Sequence, residues 1–149
     1  MTDLFIRKMD VADIDQVLEV EHASFSSPWP KDIFIQELEL NSHAHYFVIV
    51  AENKIVGYAG MWIVLDDAQI TNIAILPDYR GRKLGETLFH YIMQYGIQMG
   101  MKRLSLEVRV SNIVAQKMYR KFGLIPGGIR RNYYTDNNED AIVMWVNIQ

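Results

Sequence analysis

A chain of 149 residues, half of them apolar and 22% charged, has the balance of an ordinary globular protein. Its length suits one domain that buries roughly 70% of its unfolded surface. The net charge of −3 argues against a nucleic-acid binder that works by neutralising phosphates, and the absence of cysteine excludes disulfides, thiolate metal sites and a cysteine nucleophile.

The first residues, Met-Thr-Asp-Leu-Phe-Ile-Arg-Lys, lack the basic-then-apolar order of a signal peptide. The longest apolar run, residues 55–65, falls far short of the roughly 20 residues that a membrane helix needs. A soluble, cytoplasmic protein without membrane contact is expected.

In chain order, residues 4–7 read as a short strand. Asp10 is placed to cap a helix whose apolar positions Ile14, Val17, Leu18 and Phe25 recur at helical spacing. Ser26-Ser-Pro-Trp-Pro30 breaks the chain, and residues 31–40 form a second helix with Ile33, Phe34, Leu38 and Leu40 inward. Residues 46–51 and 55–65 are two strands joined by Glu52-Asn-Lys54 as a hairpin, and residues 69–76 are a third.

Pro77-Asp-Tyr-Arg-Gly81 ends that strand. From Leu84 the positions Leu88, Tyr91, Ile92, Tyr95 and Met99 fall on one helical stripe, with Gly100 set to stop the helix. Residues 103–110 alternate, placing Leu104, Leu106, Val108 and Val110 on one face. Ser111 caps a final helix running to Phe122 and closed by Gly123. Residues 129–134 and 141–148 close the chain as two strands around the loop 135–140. The pattern predicts a single α/β domain over residues 1–149, a mixed sheet with helices on its faces. The connection from strand 69–76 through the Leu84 helix to strand 103–110 is expected to be parallel and right-handed.

The stretch from Asn72 to Thr87 is the most informative. A strand, a Pro-Asp turn, a loop with two glycines, two arginines and a lysine, and then a helix start present backbone N–H groups and a positive dipole end at one point. That arrangement suits an anionic phosphate. Glu107 shares its strand face with Arg103, Ser105 and Arg109, which on its own fits a solvated polar face as well as a catalytic one. Asn112 and Tyr119 lie seven residues apart, two turns along one helix face and roughly 10 Å apart. The four histidines show no metal-ligand spacing, and no metal is expected. Asp66 and Asp67 read as a turn or strand end bordering the cleft.

The string Asn-Ile-Ala-Ile-Leu-Pro-Asp-Tyr-Arg-Gly-Arg-Lys-Leu-Gly resembles the acetyl-CoA motif of the GNAT superfamily of N-acetyltransferases, and the element order resembles that fold from Ile6 to Val146. Three further strings, Glu21-His-Ala-Ser-Phe-Ser-Ser-Pro-Trp29, Leu106-Glu-Val-Arg-Val-Ser-Asn112 and Arg130-Arg-Asn-Tyr-Tyr134 with Glu139-Asp-Ala-Ile-Val-Met144, are similar to the bacterial subgroup that acetylates the N-terminal alanine of a small-subunit ribosomal protein. The resemblance implies a three-layer domain with a splayed central sheet and acetyl-CoA as acetyl donor. It implies that Ile73, Ala74 and Ile75 offer backbone groups to the donor. It also implies that Arg80, Gly81, Arg82, Lys83, Leu84, Gly85 and Glu86 cradle its diphosphate and that Asn112 touches it from the last helix. Glu107 would be the general base and Tyr119 the general acid. Trp29, Tyr133 and Tyr134 would border the acceptor. The family usually has glycine where this chain has Lys83. Either that peptide stays in an ordinary helical conformation or the cradle is altered, and the lysine ammonium would add charge near the phosphates.

The chemistry accords with these types. A peptide α-amino group with a pKa near 8 is about a quarter neutral at pH ~7.5, against roughly one in a thousand for a lysine, so a carboxylate acting through an ordered water suffices as base. A tyrosine hydroxyl can protonate a departing thiolate of pKa about 8.5, and without cysteine the transfer is direct, in a ternary complex. The expected partner is a protein N-terminus, with no direct nucleic-acid contact and a monomer or weak dimer as the working unit. Two other readings keep the fold: a small-molecule amine as acceptor, and a non-catalytic acyl-CoA-binding module.

Overall fold

The computed structural model describes residues 4–148. The elements in chain order are β1 (Leu4–Lys8), α1 (Ile14–Ser24), α2 (Lys31–Glu39), β2 (Ala44–Ala51), β3 (Lys54–Val64), β4 (Asp67–Ile75), α3 (Leu84–Gln98), β5 (Arg103–Arg109), α4 (Ile113–Lys121), β6 (Ile125–Arg130) and β7 (Ala141–Asn147). The seven strands form one mixed sheet in the order β1-β2-β3-β4-β5-β7-β6, in which only β4 and β5 pair in parallel.

Alternation along β2 and β3 divides the core between the two faces of the sheet. On one face Ile14, Val17 and Val20 of α1 and Phe34 of α2 pack against Val48, Val50, Tyr58 and Ala74. On the other, Leu88, Phe89 and Ile92 of α3 pack with Tyr119 of α4 against Phe47, Ile49, Ala59, Leu104 and Leu106. Burying both faces is why β2 and β3 read as nearly continuous apolar runs rather than as clean alternation. The result is an α/β sandwich of three layers, as the sequence pattern predicts.

Several boundaries differ from expectation. Phe25 and Leu40 lie just past their helices and are exposed, because each chain has already turned from the sheet at that residue. On α3 the inward residues are Leu84, Leu88, Phe89 and Ile92, while Met99 lies beyond the last turn and Tyr91 on its flank. Val110, past the end of β5, is exposed as well. Asn112, not Ser111, caps α4: its side-chain oxygen accepts the Ala115 N–H at 3.1 Å. The penultimate strand spans Ile125–Arg130, and residues 131–134 have left the sheet. Pro126 and two glycines obscure that strand in the sequence. Proline is tolerated because β6 is an edge strand, and at Gly127 a Cβ would lie 2.1 Å from the Trp145 indole nitrogen, so the ring needs the bare backbone.

Candidate active site

The site begins with a failure of pairing. Strands β4 and β5 are in register only at Asp67–Arg103, Ala68–Leu104 and Gln69–Ser105, and beyond that they diverge. On its other edge β4 carries a bulge: Gly60 opposes Asn72 while Met61 opposes Ile70, leaving Thr71 as the extra residue. Such a bulge increases local twist and bends the strand, which turns β4 away from β5. A cleft of about 980 Å³ opens in the gap, lined by residues 70–73 of β4 and 106–109 of β5 and by the loops 24–27 and 133–137.

The free edge of β4 is a row of donors and acceptors. Leu76 N–H bonds to Val56 O at 2.7 Å, and in an antiparallel ladder bonded and non-bonded pairs alternate. Ala74 therefore spends its backbone groups on Tyr58 of β3, whereas Ile73 and Ile75 direct theirs into the gap. The Ile75 carbonyl already accepts from Arg80 Nε at 2.9 Å.

The loop after β4 ends in two left-handed residues, Gly81 at φ 79° and Lys83 at φ 62°. Lys83 thus holds the conformation that glycine adopts freely, and the ordinary helical alternative is set aside. A left-handed residue with a side chain costs roughly 1 kcal/mol. This geometry starts α3 abruptly: its first backbone bond is Thr87 N–H to Lys83 O at 3.0 Å, so the N–H groups of Leu84, Gly85 and Glu86 have no intrahelical acceptor. They converge at the positive end of a 15-residue helix. The two arginines are engaged nearby. Arg80 also reaches Ser24, and the Arg82 guanidinium lies 4.9 Å from the Tyr79 ring centre. Leu84 turns its side chain into the core, and Glu86 pairs with Lys121 at 3.3 Å.

Glu107 and Tyr119 enter the cleft from opposite faces of the sheet. Glu107 alternates with the buried Leu106 and Val108 and so projects to the α1–α2 side, whereas Tyr119 belongs to the α3–α4 core. Glu107 Oε1 is 3.1 Å from Arg130 Nε, and Oε2 accepts the Gln69 amide at 3.3 Å. No hydrogen-bond partner for the Tyr119 hydroxyl is found among the described residues, and burial, with a smaller push from Tyr134, lifts its pKa well above the tyrosine range.

Tyr133 and Tyr134 pack edge to face, their centres 5.1 Å apart. Arg109 organises this side. Its guanidinium lies 4.0 Å from the Tyr134 ring centre and binds Asp136 at 2.8 Å and Glu139 at 3.3 Å. Burial pushes the Tyr134 hydroxyl up to about 12, with the Arg109 charge pulling the other way. The Ser26 hydroxyl donates to Asp136 and so ties loop 24–29 to loop 133–137; with Arg109 it holds the Asp136 carboxyl below its ordinary range. Trp29 is half-buried against Phe34, with ring centres 5.5 Å apart.

Of the residues expected from the sequence, Trp29, Ile73, Glu107, Asn112, Tyr119, Tyr133 and Tyr134 line this cleft, whereas Lys83 and Glu86 line a separate one of about 320 Å³ at the start of α3. Sequence reasoning missed Glu21, Gln69, Asn72, Arg109, Asp136 and Glu139. Glu21 carried a signal: it continues the inward stripe of Ile14 and Val17 as a charged residue at an apolar position.

Residues 14–124 match the model of the acetyltransferase (GNAT) family. The chain belongs to that family. It is 58% identical over 147 residues, 99% of this chain and 97% of the relative, to the "Putative ribosomal protein bS18-alanine N-acetyltransferase" of Bacillus subtilis. It is 34% identical to the ribosomal protein bS18-alanine N-acetyltransferase of Escherichia coli K12, over 93% of this chain and 94% of that one. The crystal structure of the Escherichia coli ribosomal-protein-S18-alanine N-acetyltransferase superposes with a TM-score of 0.91 at 32% identity, covering 99% and 95% of the two chains. As a GNAT enzyme this chain uses acetyl-CoA as acetyl donor. Among the described residues there is no group of three side chains that could hold a metal ion, and no helix is long and apolar enough to cross a membrane.

Proposed function

We propose that this enzyme acetylates the N-terminal alanine of ribosomal protein bS18, with Glu107 as general base and Tyr119 as general acid. The observation that carries the reading is their convergence on the β4–β5 gap from opposite faces of the sheet. Acceptor and donor then approach from separate sides and meet between the strands.

The donor supplies an activated acetyl thioester. The N–H groups of Leu84, Gly85 and Glu86 take up its diphosphate, with the dipole of α3 behind them. The N–H groups of Ile73 and Ile75 on the unpaired edge of β4 orient the acyl part and stabilise negative charge on its oxygen. Asn112 lines the same gap, its oxygen spent on the cap and its amide NH2 left for the donor.

On the α1–α2 side, Glu107 takes a proton from the incoming α-ammonium, through water where the two do not touch. Gln69 and Arg130 hold its oxygens in place. Tyr119 remains fully protonated at neutral pH because burial raises its pKa. The same burial disfavours a free thiolate, so acid and leaving group move upward together and the proton transfer stays practicable. The working unit is a monomer or weak dimer in the cytoplasm, without direct nucleic-acid contact.

The test is a panel of peptides beginning in alanine, serine or methionine, offered with acetyl-CoA beside free lysine and polyamines. Preference for the alanine peptide carrying the bS18 N-terminal sequence is expected. Preference for a small amine would overturn the reading.

A further inference from the structure

We infer that Glu21 is a positioning residue for the acceptor side of the cleft: its carboxylate fixes loop 24–29, and with it Trp29, to the central strand β3. The inference rests on the proposed acceptor reading, in which Trp29 borders the peptide.

Glu21 is 1% exposed, and none of the ion pairs among the described residues involves it. A buried carboxylate without a cation is costly unless donors satisfy its oxygens. Here each oxygen has one. Oε2 accepts the Trp29 backbone N–H at 2.7 Å, and Oε1 accepts the Tyr58 hydroxyl. Tyr58 is fully buried on β3, and the Asn72 amide at the β4 bulge lies beside its hydroxyl. The carboxylate therefore joins a loop to the fully buried centre of β3.

The local sequence makes this tether decisive. Trp29 stands between Pro28 and Pro30, neither of which has an N–H. Within that tripeptide the Trp29 N–H is the one backbone donor, and Glu21 takes it. Pro30 is also the cap residue of α2, and its carbonyl accepts the Ile33 N–H at 3.1 Å. The tether thus sets both the height of Trp29 over the cleft and the starting point of α2. A carboxylate that served only the core would not need to touch the loop, and an apolar residue would fill the α1 stripe at less cost.

The experiment compares Glu21→Ala, Glu21→Gln and Tyr58→Phe in the full chain by steady-state kinetics with an alanine-starting peptide and by amide hydrogen exchange of residues 24–33. Loss of a buried hydrogen bond to a charged group predicts that Glu21→Ala raises the peptide KM about tenfold or more. The KM for acetyl-CoA should stay within about twofold, because α3 and its loop are untouched. Exchange at residues 24–33 should quicken. Glutamine can accept the Trp29 N–H through its oxygen and donate its amide to Tyr58, so Glu21→Gln should restore both readouts. Tyr58→Phe removes the hold on β3 but leaves the Trp29 contact, so it should quicken exchange of the loop in the same direction and by less than Glu21→Ala; a loop at wild-type exchange would show that β3 is not its anchor. An unchanged peptide KM, a parallel rise of both KM values, or failure of glutamine to rescue would overturn the proposal. Should Glu21→Ala not fold, Glu21→Met keeps the volume and is read the same way. A wild-type enzyme inactive on the peptide would sink the acceptor reading instead, and the exchange measurement would then decide the tether alone.

Discussion

Arg130 Nε lies 3.1 Å from Glu107 Oε1, joining the edge strand β6 to the central β5 across the mouth of the cleft. Gln69 holds the other oxygen from β4, just where β4 and β5 part. The carboxylate is thereby fixed at the start of the gap, with 12% of its side chain exposed and the arginine more than half exposed.

Glu107→Gln keeps the shape and the contact with Gln69 but removes the proposed base. General-base catalysis contributes typically 10²–10⁴-fold, so turnover should fall by about 10² or more. Acetyl-CoA affinity should change little, because the cradle at α3 is separate. Single-turnover rates and calorimetric titration with coenzyme check both halves; a mutant at wild-type rate would refute the assignment.

Tyr119→Phe should separate activity from stability. Tyr119 lines the cleft and its hydroxyl has no hydrogen-bond partner among the described residues, so deleting it leaves no unsatisfied neighbour. Thermal stability should hold or rise, while turnover should drop by about 10²-fold with loss of the proposed general acid. Because phenylalanine keeps the ring and its packing against Phe89, 5.1 Å away between centres, a loss of stability beside the loss of rate would mean that the hydroxyl itself has a structural role.

Most of this architecture could be read in the sequence, for reasons that differ by element. The α3 and β5 patterns are strong because each buries one face against the same core, so the period of apolar residues is enforced over many positions. The turn between β4 and α3 was legible because its shape lies in backbone geometry that glycine and proline announce. The splay of the sheet was expected only through family resemblance: neither the Thr71 bulge nor the loss of register after Gln69 has a residue signature. The β6 strand was hidden because its Pro-Gly-Gly centre obeys the needs of Trp145 and a sheet edge rather than strand propensity. The 133–139 side of the cleft was legible as strings but not as a network, since Arg109, Asp136 and Glu139 meet across about 30 residues of chain that only the fold brings together.

Lys83→Gly tests the departure from the family's loop. Glycine relieves a left-handed strain of roughly 1 kcal/mol but adds a similar unfolded-state entropy, so stability should change by less than about 1 kcal/mol. Arg80 and Arg82 are occupied by Ile75, Ser24 and Tyr79, which leaves the Lys83 ammonium as the loop cation without a protein partner among the described residues. Acetyl-CoA should therefore bind several-fold more weakly to the glycine variant at low ionic strength, with the difference shrinking as salt rises. Identical affinities at every salt concentration would show that the ammonium plays no part.

Glu21→Gln should change how stability depends on pH. Burial raises the Glu21 pKa above the usual glutamate range, against the opposing pulls of the Trp29 N–H, the Tyr58 hydroxyl and nearby His22. The folded state therefore binds this proton more tightly than the unfolded chain does. The associated stability is fully present below the unfolded pKa and is lost as pH rises through the folded one. Glutamine has no such proton to lose. Melting temperatures of the two proteins should lie closest at the acid end, near pH 4.5, and diverge in favour of the variant as pH climbs toward 8. A difference that stayed constant across that range would mean that the carboxylate ionises as readily in the folded protein as in the unfolded chain.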